Sequence, residues 1–254
     1  MDDILKPGEL DDINPVGIPR KMCPVIFLLD TSGSMYGEPI GAVNEAIKNI
    51  LPELISMNEE NSDNEIKVAI MTFDYDAKWT VGETGLLTPE DVQNYWQDLD
   101  ANGYTSMGEA FKSLNDKLSV SHGFMEHATG SVAPVLFLLS DGEPTDDYKS
   151  GLQELQKNPW YKIAIRVAVG YNDFNEHILR EFTGNEGTVL SASDPDSLRK
   201  TIRFVAITSS RVASQGSRVD NTGNDDPDDN TGKLAQALPP KGSLNAQLDP
   251  GDGF

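Results

Sequence analysis

Cysteine is nearly missing from this sequence: Cys23 is the single one among 254 residues. An internal disulfide framework is excluded, so the fold must rest on a packed core. Cys23 leads into an apolar run and is expected as a small buried or half-buried hydrophobe. Histidine is scarce too. His122, His127 and His177 stand at no spacing that pairs them as metal ligands, and surface or loop positions are expected for all three. Basic residues are outnumbered, with 20 Lys and Arg against 41 Asp and Glu, a formal net charge of −21. Phosphate backbones and anionic lipids need clustered Lys and Arg, so neither nucleic acid nor a membrane is expected as a partner. The same excess favours cations and basic partner surfaces, although a solvated surface explains it equally well. Long apolar runs are absent: "VAPVLFLL" falls far short of the ~20 residues of a membrane span. The opening "MDDILKPGEL" is acidic without an apolar core. No secretory signal is expected there, and a reducing cytoplasm is the expected compartment.

What is present is an alternation of apolar strands and amphipathic helices from residue 21 to about 212. "VIFLLD" (25–30) predicts a buried strand. Ile40, Val43, Ile47, Ile50 and Leu54 then recur every three or four residues, one face of a helix that Pro52 should kink or stop. "IKVAIMTFD" (66–74) and "AKWTV" (77–81) are two strands with a very short link, hence an antiparallel pair at an edge. A helix is expected around "TPEDVQNYW", and another carries Met107, Phe111, Leu114 and Leu118 on one face. "APVLFLLSD" (133–141) is apolar almost throughout, as a central parallel strand covered on both sides would be. A helix with Tyr148, Leu152 and Leu155 inward should end at Asn158-Pro159, before a strand over 161–170. Asp173 and Glu176 form a capping box, with Gly184 as the stop. "TVLSAS" is a short strand, and Asp194-Pro195 starts a last helix. Such alternation implies a three-layer α/β domain with a mainly parallel sheet. Residues 1–20 are an acidic leader. Residues 213–254 are rich in Asp, Asn, Gly and Pro, and too poor in apolar residues to offset their ordering entropy, so a disordered acidic tail is expected. Its run "DDPDDNTG" fails as a calcium loop, because Thr231 and Ala237 stand where Gly and Glu are needed.

Ligands of open α/β sheets sit beyond the carboxyl ends of the strands. Three segments place oxygen side chains there. Asp30, Ser32 and Ser34 follow the first strand in "FLLDTSGSMYGEPI", with Gly33 allowing the tight turn and Gly37, Glu38 and Pro39 starting the next helix. Thr105 precedes a helix in "GYTSMGEA", and Asp141, before Gly142, ends the central strand. Two carboxylates and three hydroxyls suit a hard divalent cation, Mg²⁺ first, with Mn²⁺ or Ca²⁺ as alternatives.

This pattern resembles the metal-ion-dependent adhesion site of the von Willebrand factor A domain family. That site is written D-x-S-x-S, then Thr, then Asp. Here it reads Asp30-Thr31-Ser32-Gly33-Ser34, then Thr105, then Asp141, over a likeness spanning about residues 22–212. "LLDTSGSMYGEPI", "IMTFDYDA" and "LFLLSDGEPTD" look most like the bacterial TerY-type members associated with tellurite resistance. The resemblance implies a Rossmann-like sheet of six strands, order 3-2-1-4-5-6, with one antiparallel edge strand. It implies that Ser32, Ser34 and Thr105 hold the metal directly or nearly so, while Asp30 and Asp141 act through waters or hold the hydroxyls. It also implies a non-enzymatic interaction module that binds an exposed carboxylate of a protein partner, with kinase-like or phosphatase-like stress-response proteins as expected partners.

Plainer roles compete for single residues. Asp30 or Ser34 alone could cap a helix. Glu38, Glu109, Glu143 and Asp146 could rim the site, but first helical turns favour carboxylates anyway. Thr72, Asp74 and Asp76 are expected to fix a hairpin. The alternative function is a Mg²⁺-dependent phosphohydrolase with Asp30 as nucleophile. That chemistry needs a second carboxylate two residues on and a lysine for phosphate charge, whereas position 32 is serine. A serine hydrolase would need a G-x-S-x-G elbow, which is missing around Ser32 and Ser34.

Overall fold

The computed structural model describes residues 20–125, 131–141, 143–215 and 230–238. The leader to residue 19, His127, Gly142 and most of the tail lie outside the described residues.

Six strands form one sheet: β1 (Lys21–Asp30), β2 (Asn64–Phe73), β3 (Ala77–Val81), β4 (Val135–Ser140), β5 (Ile165–Tyr171) and β6 (Val189–Ala192). Their order is β3-β2-β1-β4-β5-β6, the order that the family likeness implies. All neighbours are parallel except β2 and β3, which pair antiparallel across the short link. The helices are α1 (Glu38–Glu60), α2 (Pro89–Tyr95), α3 (Met107–Lys117), α4 (Tyr148–Leu155), α5 (Pro159–Ile163), α6 (Glu176–Thr183), α7 (Pro195–Gln215) and α8 (Asn230–Ala237).

Strand side chains alternate between faces, so β1 feeds two cores. Cys23, Val25, Phe27 and Leu29 pack with Val43, Ile47 and Leu54 of α1 and with Leu198, Ile202 and Val205 of α7. Ile26 and Leu28 pack with Phe111 and Leu114 of α3, Leu152 of α4 and Phe182 of α6. Both faces are covered, which is why β1 and β4 read as continuous apolar runs. Among the described residues, no helix is long and apolar enough to cross a membrane.

Four local expectations are corrected. Pro52 does not stop α1. It lies on the exposed side, where the carbonyl that loses its partner faces water, while Leu51 and Leu54 stay buried. The helix runs on to Asn58, whose side chain accepts from the Ile66 N–H (2.6 Å) and donates to the Ile66 carbonyl (3.1 Å). Tyr161, Lys162 and Ile163 are helical, not strand. Asn158-Pro159 is an N-cap followed by Pro at the first turn, and Asn158 Oδ1 accepts from the Trp160 N–H at 2.9 Å. The cap of α6 is Asn175, accepting from the His177 N–H at 3.2 Å, rather than an Asp173–Glu176 box; Gly184 does end it, in the left-handed region at φ 70°. The tail is not without structure throughout, since α8 docks on the body. Leu234 is buried beside α7, and Thr231 Oγ1 accepts from the Arg166 N–H (3.1 Å) while donating to the Ala164 carbonyl (3.0 Å). Leu234 and Thr231 anchor these eight residues, a signal too small to outweigh the polar composition around it.

Candidate metal centre

β1 is central, with β2 on one side and β4 on the other. The connections leave β1 and β4 in opposite directions, so the crevice at their carboxyl ends is the switch point of the sheet. Asp30 is the last residue of β1, and Asp141 follows the last residue of β4. A single 3₁₀ turn (Gly33–Met35) then links β1 to α1.

Hydrogen bonds join four of the five predicted side chains. Asp30 is fully buried, and its Oδ1 accepts the Ser32 N–H at 2.9 Å. The hydroxyls of Ser32 and Ser34 are 3.0 Å apart. Ser34 Oγ donates to Asp141 Oδ1 at 2.8 Å. Thr105 is buried and enters through backbone. The Gly33 N–H donates to the Gly103 carbonyl (3.2 Å), bringing the 103–105 loop against the serine turn. Thr105 itself is clamped to Thr145, its N–H donating to Thr145 Oγ1 (3.2 Å) and its carbonyl accepting the Thr145 N–H (3.0 Å).

The glycine expectation needs correcting. Gly33 has no left-handed φ, and a Cβ there would meet the Gly103 carbonyl oxygen at an ordinary 3.4 Å. The left-handed turn residues are Gly37 (φ 90°), which caps α1, and Gly103 (φ 84°). A Cβ at Gly103 would strike the Tyr75 ring at 2.7 Å.

Sequence reasoning missed Ser140. Its hydroxyl donates to Asp30 Oδ2 at 2.6 Å, so both Asp30 oxygens are held. The signal was available in the register: "FLLD" of β1 lies beside "FLLS" of β4, with Leu29 opposite Leu139. It also missed the clamp at Thr145. Asp146, read as rim or first-turn residue, caps α3 from another segment, accepting the N–H groups of Gly108 (2.9 Å) and Glu109 (3.0 Å). At the β2–β3 hairpin the Asp74 carboxylate accepts the Tyr75 N–H and the Asp76 carboxylate pairs with Lys78 (2.8 Å), while the Asp74 N–H donates to the Asp76 carbonyl at 3.0 Å; Thr72 is buried at the end of β2. The Asp74 carbonyl in turn accepts the Ser106 N–H, tying that hairpin to the Thr105 loop. His122 and His177 are exposed, as expected.

Both carboxylates of the site are desolvated. Burial pushes the Asp30 carboxyl up to about 6, against the hydrogen bonds from Ser140 and Ser32, and the Asp141 charge adds to the rise. Burial also raises Asp141, against the Ser34 hydroxyl. Among the described residues, neither carboxylate has a Lys, Arg or His partner. Desolvated carboxylates beside hydroxyl oxygens, with no basic group to compensate them, fit a hard divalent ion. They do not fit phosphate, whose charge would have no cationic side chain to meet it.

A family model for the von Willebrand factor type A domain matches residues 25–203. Among curated proteins, inter-alpha-trypsin inhibitor heavy chain H3 from Bos taurus is 24% identical over 196 residues, 71% of this chain and 20% of that protein. The chain thus spans a fifth of the length of that relative. Among solved structures, von Willebrand factor type A from Catenulispora acidiphila has a TM-score of 0.56 at 19% identity, over 77% of this chain and 43% of the other. Proximal thread matrix protein 1 from the mussel byssus, solved with a zinc-occupied MIDAS motif, has a TM-score of 0.59 at 16% identity, over 74% of this chain and 48% of that one. At these identities the two structures share the fold.

Proposed function

The chain belongs to the von Willebrand factor type A domain family, and we propose on that premise that its oxygen-lined mouth is a metal-ion-dependent adhesion site gripping a carboxylate of a partner protein. One observation carries the reading. Asp30, Ser32, Ser34 and Asp141 form a continuous chain of hydrogen bonds at the switch point, with no cationic side chain on either carboxylate among the described residues. Asp30, Ser32, Ser34, Thr105 and Asp141 would hold the ion. When bound, the ion supplies the positive charge that a partner carboxylate needs.

The chain's own residues do the positioning. Asp30 fixes the serine turn through the Ser32 N–H, Ser140 fixes Asp30, and Gly103 holds the turn against the Thr105 loop. Around the mouth the chain exposes tyrosines. Tyr36 follows the serine turn and is 78% exposed; Tyr75 and Tyr104 are each 62% exposed and meet edge to face, centroids 5.3 Å apart. Exposed aromatics beside a charged centre are the residue type that anchors protein interfaces.

Mg²⁺ is the proposed resident ion, because the donor set is all oxygen and lacks the nitrogen and sulfur ligands zinc prefers. A TerY-like role beside kinase-like or phosphatase-like stress-response proteins of the cytoplasm is the finer part of the proposal. It is supported by the stretches "LLDTSGSMYGEPI", "IMTFDYDA" and "LFLLSDGEPTD".

Calorimetric titration of the chain with Mg²⁺ and Mn²⁺, followed by NMR titration with N-acetyl-glutamate methylamide, tests the site. Metal should bind wild type and be lost in Asp30→Ala. The glutamate probe should shift mouth resonances with metal and not in EDTA. Absence of metal binding, or glutamate shifts that are equal in EDTA, would overturn the reading.

A further inference from the structure

Three segments meet at the mouth, and hydrogen bonds join them in pairs. The serine turn meets the Gly103 loop through the Gly33 N–H to the Gly103 carbonyl (3.2 Å) and the Asn102 N–H to the Thr31 carbonyl (2.8 Å). The end of β1 and its turn meet the end of β4 through Ser34 to Asp141 (2.8 Å) and Ser140 to Asp30 (2.6 Å). The third side joins Thr105 to the segment that follows Asp141. There the Thr105 N–H donates to Thr145 Oγ1 (3.2 Å), and the Thr105 carbonyl accepts the Thr145 N–H (3.0 Å). Both bonds use the Thr105 backbone and leave its hydroxyl out of the clamp. Thr105 is 5% exposed, whereas Thr145 lies at the surface. The two residues after Thr145 hold helices. Ser106, at the N-cap of α3, makes no side-chain cap, and Asp146 accepts the Gly108 and Glu109 N–H groups in its place. Asp147 caps α4, accepting the Ser150 N–H at 3.2 Å. Thr145 is the one of these three that bonds to a predicted metal residue.

We propose that Thr145 is a positioning residue of the metal centre, holding the Thr105 backbone so that the Thr105 hydroxyl stays within the donor set. The metal role rests on the adhesion-site reading; the clamp itself does not. The neighbours of Thr105 are held by other partners. Gly103 is held by Gly33, and Ser106 donates to the Asp74 carbonyl through its N–H (3.1 Å) and to the Tyr75 carbonyl through Oγ (3.0 Å). Those bonds fix where the loop enters and leaves, and the Thr145 pair fixes Thr105 itself. A backbone N–H deprived of its acceptor must find another or turn to water. The peptide plane that carries it then rotates, and the side chain on the same residue moves with it. An exposed threonine that merely filled surface could be replaced at little cost to stability or affinity. One that orients a metal-holding residue is replaced at a cost in affinity, as supporting groups around metal sites are.

The test compares the full chain with Thr145→Val, which keeps the shape and loses the acceptor, and with Thr145→Ser, which keeps the hydroxyl. Amide hydrogen exchange of the ¹⁵N-labelled proteins in EDTA reads the clamp without metal. The Thr105 amide should exchange about five-fold faster in Thr145→Val and within about two-fold of wild type in Thr145→Ser. Calorimetric titration with Mg²⁺ reads the metal role. Affinity should fall about ten-fold in Thr145→Val and recover in Thr145→Ser. Urea midpoints in EDTA should stay close to wild type in both variants, because Thr145 is exposed. A lowered midpoint with wild-type Mg²⁺ affinity would make Thr145 merely structural and overturn the proposal. So would unchanged exchange at Thr105, or a serine variant that binds Mg²⁺ as weakly as the valine one. A wild-type chain that binds no Mg²⁺ removes the adhesion reading and the metal role with it, while exchange in EDTA still reports on the clamp alone.

Discussion

Ser140 Oγ donates to Asp30 Oδ2 at 2.6 Å, joining the last residues of two adjacent parallel strands. The bond is buried and ends on a carboxylate that, among the described residues, no basic side chain balances. Hydrogen bonds to charged groups contribute about 1.5–3 kcal/mol, and removing one strands the other partner. Ser140→Ala should therefore lower stability by about that amount in chemical denaturation. On the proposed adhesion-site reading Asp30 helps hold the ion, and groups that fix a metal ligand also set its affinity, so Mg²⁺ binding should weaken about ten-fold by calorimetry. Ser140→Thr, which keeps the hydroxyl, should recover most of both. Unchanged affinity in Ser140→Ala would remove its positioning role.

Gly103 is a second lever on the same site. Its φ of 84° disfavours any side chain, and a Cβ would sit 2.7 Å from the Tyr75 ring. Its carbonyl also accepts the Gly33 N–H. Gly103→Ala should cost about 1–3 kcal/mol of stability from strain at a special backbone position. It should also displace Tyr75 and loosen the serine turn, weakening metal binding more than the stability loss alone would. Parallel denaturation and Mg²⁺ titration separate the two effects. A loss of stability with intact metal affinity would confine Gly103 to a structural role.

Much of this architecture is legible in the sequence, for local reasons. Strands β1 and β4 announce themselves as apolar runs because both their faces are buried, and α1 by spacing. Strand order is different in kind. Pairing joins residues far apart in the chain, and alternation alone leaves the order open; here it came through likeness to a family. The motif residues Asp30, Ser32, Ser34 and Asp141 are legible because oxygen side chains gathered at strand ends stand out against the apolar runs that precede them. Ser140 is not, since a serine within "LLSDG" looks like any strand terminus until β1 and β4 are set in register. Pro52 and Asn158-Pro159 show the limits of punctuation. A proline reads as a stop, yet an exposed one is tolerated in α1, and one after Asn begins α5.

The docking of α8 predicts a dependence that composition would not. Leu234 is fully buried, and Thr231 ties the helix to the start of β5. Leu234→Ala should destabilise by about 2–5 kcal/mol if α8 unfolds together with the body, as core leucine truncations do. Should α8 instead release separately, limited proteolysis would cut before Lys233 sooner in the variant, while the melting temperature of the body stays close to wild type. Neither change would mean that α8 does not pack in solution.

Tyr161 predicts how stability responds to alkali. Its ring is buried under the Arg166 guanidinium, 4.8 Å from the centroid, and its hydroxyl donates to the Phe182 carbonyl. Burial pushes its phenol up to about 12 from an ordinary 10.0, although Arg166 pulls the other way. The fold thus prefers the neutral phenol, while the unfolded chain ionises near 10. The contribution is fully present below pH 10. It declines as pH climbs from 10 towards 12, because the unfolded state gains by ionising while the folded state does not, at about 1.4 kcal/mol per pH unit. Tyr161→Phe has no proton to lose. It should be less stable at pH 8 for want of the Phe182 bond, and its stability should then fall less steeply than wild type from pH 10 to pH 12. Urea denaturation of both proteins across that range is the measurement. Parallel curves would show that Tyr161 ionises in the fold as readily as in water.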